Sequence, residues 1–357
     1  MDFGYVDSYL TKSCKIIEVL YSKKYNTTFI FNSSNVINVC TWNIWGLTKY
    51  NKSFLEWSIP KRMDLLIENI IKYDIDILCL QEVSNEIYYY LYSKLNDIMD
   101  FYEEGLDIEK NKSNRNRNLE NIFIVKKKYI PIEYVNYSIG GNLGYNNVIS
   151  VLRFNNAIFY NIYLQAGSKH SVGQEKVAHH YSRCRSEQLT ILDELIRSYY
   201  NEKGDSSQNI FVLGDFNFNL DGTIDDWPEL NNLIEIKAEY NLSDENYKYL
   251  NSEDTTINFM RYNMKFIDKI FRYDTILSTC KTRDNMLIGQ EEIFLDDKQT
   301  ENTLKYLIYK YDDNKDKVKY NKYKKLSLWI SDHFGIYGKY YIQPFFNVSS
   351  SYSISEK

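Results

Sequence analysis

Three apolar runs of this chain end in the same way, and that repetition constrains its fold most. Residues 36–42 lead into Asn43, the nearly all-apolar residues 75–80 lead into Gln81-Glu82, and residues 211–213 lead into Gly214-Asp215. A strand that is apolar at successive positions is one covered on both faces, which requires layers above and below it. In layered α/β folds, polar side chains at strand ends meet in a common cleft.

Between these runs the spacing turns helical. Met63, Leu65, Leu66, Ile70 and Ile71 keep a helical period behind Pro60, which is expected to open that helix at its first turn. Residues 85–99 read as a second helix. Residues 181–200 form the strongest amphipathic helix, with Leu189, Ile191, Leu192, Leu195 and Ile196 on its apolar side. Further strands are expected at 122–125, 148–154, 157–164, 266–273 and 334–342, the second and third joined as a hairpin through Asn155-Asn156. Residues 1–35 read as an N-terminal extension with a short helix near 5–22. Residues 36–345 form one large domain, and 346–357 form a polar tail. The Lys-, Asp-, Asn- and Tyr-rich stretch 293–326 reads as a charged, solvated insertion with one helix around 303–309.

Composition narrows the function classes. The 43 Lys and Arg against 48 Asp and Glu give 43 − 48 = −5, so no global positive field draws in nucleic acid. An anionic substrate must then be held by a local site or by a bound cation. The five cysteines are scattered without a CxxC pair, so reduced thiols and an intracellular setting, cytoplasmic or nuclear, are expected. No apolar h-region opens the chain, and no run approaches the ~18–20 apolar residues of a membrane span.

Four polar signatures fall at strand ends: Thr41-Trp42-Asn43, Leu80-Gln81-Glu82-Val83, Gly214-Asp215-Phe216-Asn217 and Ser331-Asp332-His333. A single one reads as a helix cap or turn. Four in this order, with Phe266-Ile267-Asp268-Lys269-Ile270-Phe271 as a fifth, are not explained as caps. Over residues 36–345 the set resembles the endonuclease/exonuclease/phosphatase superfamily of metal-dependent phosphoesterases. Thr41-Trp42-Asn43-Ile44 with Gly46-Leu47, the Leu80–Val83 motif, Arg185 followed by Gln188, residues 266–271 and Ser331-Asp332-His333 look most like 5′-tyrosyl-DNA phosphodiesterases. The implied fold is a four-layered α/β sandwich of two mixed β-sheets flanked by helices.

The resemblance implies a division of labour. A phosphodiester repels hydroxide, so a hard divalent cation with oxygen ligands must neutralise its charge. Mg²⁺ is the expected ion, with Mn²⁺ as a substitute. Glu82 is the expected metal ligand, and Asn43 is expected in the metal or phosphate shell. Asp215 would orient and deprotonate the attacking water, and Asn217 would donate its amide to phosphate. His333 would stabilise phosphoryl oxygens, with Asp268 as its carboxylate partner. Asp332 would lie near the metal or the leaving group.

Two departures bear on the substrate. Tyr163-Leu164-Gln165 replaces the His-Leu-Glu of tyrosyl-DNA phosphodiesterases; a tyrosine here resembles apurinic/apyrimidinic endonucleases, where its hydroxyl touches phosphate, and simple packing is the alternative. Trp45 stands where an acidic residue is expected, and Asn43-Ile44-Trp45-Gly46 is closer to neutral sphingomyelinases. The expected activity is a nuclease or DNA-end-processing phosphodiesterase. The alternatives are a sphingomyelinase-like lipid phosphodiesterase and a catalytically silent binding protein on the same scaffold.

Other residues have plainer readings. His170, His179 and His180 read as solvated loop histidines before the 181–200 helix. Arg185 and Gln188 share a helix face, where they either buttress the catalytic loops or make interior polar contacts. Lys126-Lys127-Lys128 and Lys322-Tyr323-Lys324-Lys325 read as solvated surface, with nucleic-acid contact as the alternative. Cys40 and Cys79 are expected to be small buried apolar groups.

Overall fold

The computed structural model describes residues 18–32, 35–44, 46, 52–103, 120–140, 147–166, 175–203, 209–218, 228–243, 274–289, 291, 293–294, 296, 298, 327–328, 331 and 335–343. In chain order the first half comprises β1 (Glu18–Lys24), β2 (Val36–Asn43), α1 (Lys52–Lys72), β3 (Ile77–Val83), α2 (Asn85–Leu95), β4 (Met99–Tyr102), β5 (Glu120–Lys126) and β6 (Glu133–Ser138). The second half comprises β7 (Val148–Arg153), β8 (Ala157–Tyr163), α3 (Glu175–Lys203), β9 (Asn209–Asp215), α4 (Pro228–Glu239), β10 (Asp274–Ser278), β11 (Lys281–Ile288) and β14 (Gly335–Tyr341). Between those last two, β12 (Ile293–Phe294) and β13 (Ser327–Leu328) form a separate two-stranded ribbon.

Two six-stranded sheets result. The first runs β1-β6-β7-β8-β9-β10 and the second β11-β14-β2-β3-β5-β4. Each is mixed, because β8 and β9 pair in parallel in the first and β2 and β3 in the second, while their other pairs are antiparallel.

Alternation along each strand builds the layers. In β3, Ile77 and Cys79 face the middle of the sandwich, where they meet Phe159, Phe211 and Leu213 of the first sheet. Leu78 and Leu80 face the other way, onto Met63, Leu66 and Ile70 of α1 and Ile87 and Leu91 of α2. On the far side, Ile158, Ile162, Ile210 and Val212 cover themselves with Leu189, Leu192 and Ile196 of α3 and Leu233 and Ile236 of α4. The order is helix, sheet, sheet, helix, and it explains why these strands are apolar at consecutive positions. Asn155 and Asn156 do join β7 and β8 as an antiparallel hairpin.

Several local expectations are corrected. Glu18–Lys24 is a strand, not the end of a helix: it pairs antiparallel with β6 from Glu18↔Ser138 to Lys24↔Glu133. The Asn156 side chain then exchanges two hydrogen bonds with the Phe31 backbone, at 2.8 and 2.6 Å, and Phe31 is fully buried. A partner strand more than a hundred residues away overrode the local pattern. Pro60 lies within α1, which begins at Lys52, so one missing backbone donor does not stop a helix whose Ile59, Met63, Leu66 and Ile70 are buried. The second helix stops at Leu95, because Met99 already belongs to β4.

His179 and His180 belong to α3 rather than to a loop, and His180 is buried, its imidazole pKa lowered first by burial and then by the Arg183 charge. Cys40, Cys79 and Cys280 are free and buried, whereas Cys184 is disulfide-bonded, not a reduced thiol as expected. The expected strand at 266–273, the helix at 303–309, the tail, and His170 also lie outside the described residues, as does most of the 293–326 insertion.

Candidate active site

Two parallel pairings set the site. In the second sheet β2 and β3 run side by side with Asn43 opposite Gln81, and the Ile44 N–H donates to Gln81 O at 3.1 Å. In the first sheet β8 and β9 place Tyr163 opposite Asp215, and the Leu164 N–H donates to Asp215 O at 3.0 Å. The C-terminal ends of all four strands therefore deliver side chains to the same end of the sandwich. Gly214 makes the second pairing possible: its φ is +134°, and a Cβ there would lie 2.1 Å from Ile162 O.

Five of the expected residues meet there. The Asn43 Nδ2 donates to Glu82 Oε1 at 3.1 Å and to Asp215 Oδ2 at 2.9 Å. The Tyr163 hydroxyl donates to the same Glu82 Oε1 at 2.9 Å. The Asn217 backbone N–H donates to Asp215 Oδ1 at 2.8 Å, and its Nδ2 donates to Leu164 O at 2.9 Å. The Ser331 hydroxyl fixes Asn43 from behind, donating to its carbonyl at 2.6 Å. Asn43 and Asp215 are buried, while Glu82 and Asn217 are half-buried and border solvent.

The direction of the Asn43 amide follows from its neighbours. Between two carboxylates only its nitrogen finds acceptors, so it holds Glu82 and Asp215 together as a donor. Asp215 accepts at both oxygens, which fixes its orientation. Of the four non-glycine residues with left-handed backbone among those described, Glu82 and Asn217, each at φ 55°, belong to this site. Strained backbone concentrates where side-chain direction matters.

The donor set suits a hard cation. Glu82, Asp215 and the Tyr163 hydroxyl present oxygen only, and among the described residues no group of three or more His, Cys, Asp or Glu is gathered to cage a metal. Mg²⁺ is ordinarily held by one or two carboxylates, with water and substrate phosphate completing its shell. Asp268, Asp332, His333 and Trp45 lie outside the described residues.

Behind the site stands a buried ion pair. Arg185 donates to Glu229 Oε1 through Nε at 3.0 Å and Nη2 at 2.9 Å, and through Nη1 to Gln165 O at 2.9 Å. Gln188 accepts from the Gln165 N–H at 2.9 Å and donates to Gly140 O at 2.9 Å. Both helix residues thus hold the backbone just after Tyr163 and Leu164. The basic run behaves differently: Lys126 lies 2.7 Å from Asp74 and 2.9 Å from Asp76, and Lys128 lies 3.2 Å from Asp76. These acids precede β3, at the end opposite the site.

Sequence reasoning missed the amides beneath the site, Asn121 and Asn161, and gave Gln81 no role of its own. Their signal is an amide inside an otherwise apolar strand, which an Asn-rich chain does little to highlight.

The family model described as "Endonuclease/Exonuclease/phosphatase family" matches residues 40–333. No curated protein matches with significance. Among solved structures the fold resembles TDP2 from C. elegans, at 15% identity and TM-score 0.56, covering 86% of this chain and 75% of that one. It also resembles mannosyl-6-phosphatase Bt3783 of Bacteroides thetaiotaomicron, at 13% identity and TM-score 0.56, covering 85% and 99%. A beta toxin structure from Staphylococcus aureus aligns at 16% identity and TM-score 0.54, again covering 85% and 99%. No helix among the described residues is long and apolar enough to cross a membrane.

Proposed function

Because the chain belongs to the endonuclease/exonuclease/phosphatase family, whose members are generally phosphoester hydrolases, we propose that it is a Mg²⁺-dependent phosphodiesterase that processes nucleic-acid ends, with a 5′-tyrosyl-DNA adduct as the first substrate to test. The observation that carries this reading is the Asn43 amide held between Glu82, at 3.1 Å, and Asp215, at 2.9 Å. The TDP2 likeness at 15% identity concerns the fold; the substrate class rests on the motifs.

In this reading Glu82 holds the cation, and Mn²⁺ can replace Mg²⁺. The ion, when bound, neutralises phosphate charge and polarises the phosphoryl group. Asp215, clamped by Asn43 and by the Asn217 N–H, takes the proton from the attacking water. The Asn217 amide carries a second N–H, beyond the one on Leu164 O, for a phosphate oxygen. The Asn43 amide and the Tyr163 hydroxyl border the same phosphate position, and their hydrogens, given to Glu82 and Asp215, keep those carboxylates oriented. By the resemblance, His333 would stabilise the phosphoryl oxygens, Asp268 would be its carboxylate partner, and Asp332 would serve near the metal or the leaving group.

A substrate panel tests this: 5′-phosphotyrosyl DNA, abasic DNA, single-stranded RNA, sphingomyelin and inositol phosphates, each with Mg²⁺ and with chelator. Turnover of a nucleic-acid substrate that chelator abolishes and Mg²⁺ restores is expected. Removing the general base in Asp215→Asn should lower kcat about 10²–10⁴-fold. Preferred turnover of sphingomyelin would move the reading to a lipid phosphodiesterase, and hydrolysis at wild-type rate in both Asp215→Asn and Glu82→Gln would overturn it.

A further inference from the structure

Strand alternation by itself would send Glu82 the wrong way. In β3, residues 77, 79 and 81 face the middle of the sandwich, and residues 78 and 80 face α1 and α2. Continued one step, that period points Glu82 toward the helices. The chain avoids this with a bulge. Leu80 pairs with Ile122 and Val83 with Glu120, so Gln81 and Glu82 together oppose Asn121 alone. The left-handed backbone of Glu82, φ 55°, completes the turn into the cleft.

A bulge disrupts the local ladder of hydrogen bonds, and here the opposite sheet repairs it. Asn161 of β8 is fully buried. Its Nδ2 donates to Leu80 O at 3.2 Å and to Ile122 O at 3.0 Å, the two carbonyls flanking the bulge. Its Oδ1 accepts from Gln81 Nε2 at 2.7 Å, and its own carbonyl accepts from Asn121 Nδ2 at 3.2 Å. Gln81 Nε2 also reaches Thr41 Oγ1 at 3.0 Å, which ties in β2. Two residues along the same face of β8, the Tyr163 hydroxyl holds the Glu82 carboxylate. One strand of the first sheet therefore grips both the backbone before Glu82 and its head group.

We propose that Asn161 is a positioning residue that maintains the β3 bulge from across the sandwich and so aims Glu82 into the active site. Only an amide supplies a donor to both carbonyls and an acceptor to Gln81 in one planar group. Leucine matches its shape and leaves these groups unpartnered, whereas aspartate sets a carboxylate oxygen against two carbonyls. The proposal rests on the reading of Glu82 as the cation-holding carboxylate, but its effect on the bulge can be read separately.

The test compares wild type, Asn161→Leu and the milder Gln81→Met, which removes the amide donor shared by Asn161, Thr41 and the Cys79 carbonyl but leaves both Asn161 bonds to the carbonyls flanking the bulge. Four properties are measured: thermal melting, Mn²⁺ affinity by spin-resonance titration of the metal alone, kcat and KM on the phosphodiester that wild type hydrolyses, and amide exchange at Ile44, whose N–H donates to Gln81 O. Asn161→Leu should weaken Mn²⁺ binding about 10–100-fold, as loss of a group orienting a metal ligand does. It should lower kcat with KM little changed, and it should speed Ile44 exchange while distant strands stay protected. Gln81→Met should shift the same properties by less. If the variants melt earlier but keep wild-type Mn²⁺ affinity, kcat and Ile44 protection, Asn161 is merely structural and the proposal falls. If wild-type protein neither binds Mn²⁺ nor hydrolyses any phosphodiester, the functional reading fails instead, and Ile44 exchange alone then decides the role of Asn161. If Asn161→Leu does not fold, Gln81→Met decides by the same measures.

Discussion

The Asn43 amide donates to Asp215 Oδ2 at 2.9 Å, joining two residues 172 positions apart and on different sheets. The same nitrogen contacts Glu82 at 3.1 Å, so it screens one carboxylate from the other. Asn43→Ala should leave the fold intact and lower kcat about 10²-fold, the cost of losing orientation at a proton-transfer group. Asn43→Asp should be worse, because three carboxylates would then crowd one end of the cleft. Turnover at saturating Mg²⁺ checks both, and equal rates for the two variants would refute the screening role.

Gly214 brings Asp215 into place by letting β8 and β9 approach closely. A Cβ at 2.1 Å from Ile162 O cannot be accommodated by a side-chain movement, since the obstacle is backbone. Gly214→Ala should cost about 2–4 kcal/mol, combining backbone strain with a broken parallel pairing. A denaturant titration should show the lower midpoint.

The Trp42 indole lies between two glycines. A Cβ on Gly335 would come within 2.6 Å of its Cε3, and one on Gly289 within 2.0 Å of its Cη2. Trp42 is fully buried one residue before Asn43, so the pocket that seats it also seats the site. Gly335→Ala should destabilise by about 1–3 kcal/mol through overpacking, and tryptophan fluorescence should shift as the ring moves. An unchanged melting curve would refute this.

Arg185 and Glu229 separate stability from position. A buried ion pair gains little net stability because both charges lose their water, yet removing one partner leaves the other charge stranded. Glu229→Ala should therefore cost about 3–5 kcal/mol, whereas Arg185→Met with Glu229→Leu should cost far less than the two single losses added, the remainder being the Gln165 carbonyl and Ser182 hydroxyl left without these partners. Chemical denaturation of the single and double variants provides the comparison. A double variant that loses as much as the two single variants added together would show that the charges are not coupled and would refute the stranded-charge account.

Much of the architecture was legible locally. The runs at 75–80 and 211–213 are apolar on both faces because each strand lies between a helix layer and the other sheet, and burial on two sides leaves that trace at every position. The hairpin at Asn155-Asn156 and the 181–200 helix were legible for a different reason: each depends on neighbours within a few residues. Strand 18–24 was not, since its hydrogen-bonding partner in the sheet among the described residues, β6, lies more than a hundred residues away.

By itself, the sequence determined the apolar strands at 36–42, 75–80, 148–164 and 211–213, the amphipathic helices around them and the polar groups at strand ends. Periodicity is a property of consecutive residues, and it survives without knowledge of partners. Tertiary structure alone decided that the ends of β2, β3, β8 and β9 share one end of the sandwich, and that Glu82 departs from its strand's alternation to join them. A bulge and the amides that support it are contacts between distant segments, so nothing in the local pattern around residue 82 encodes them.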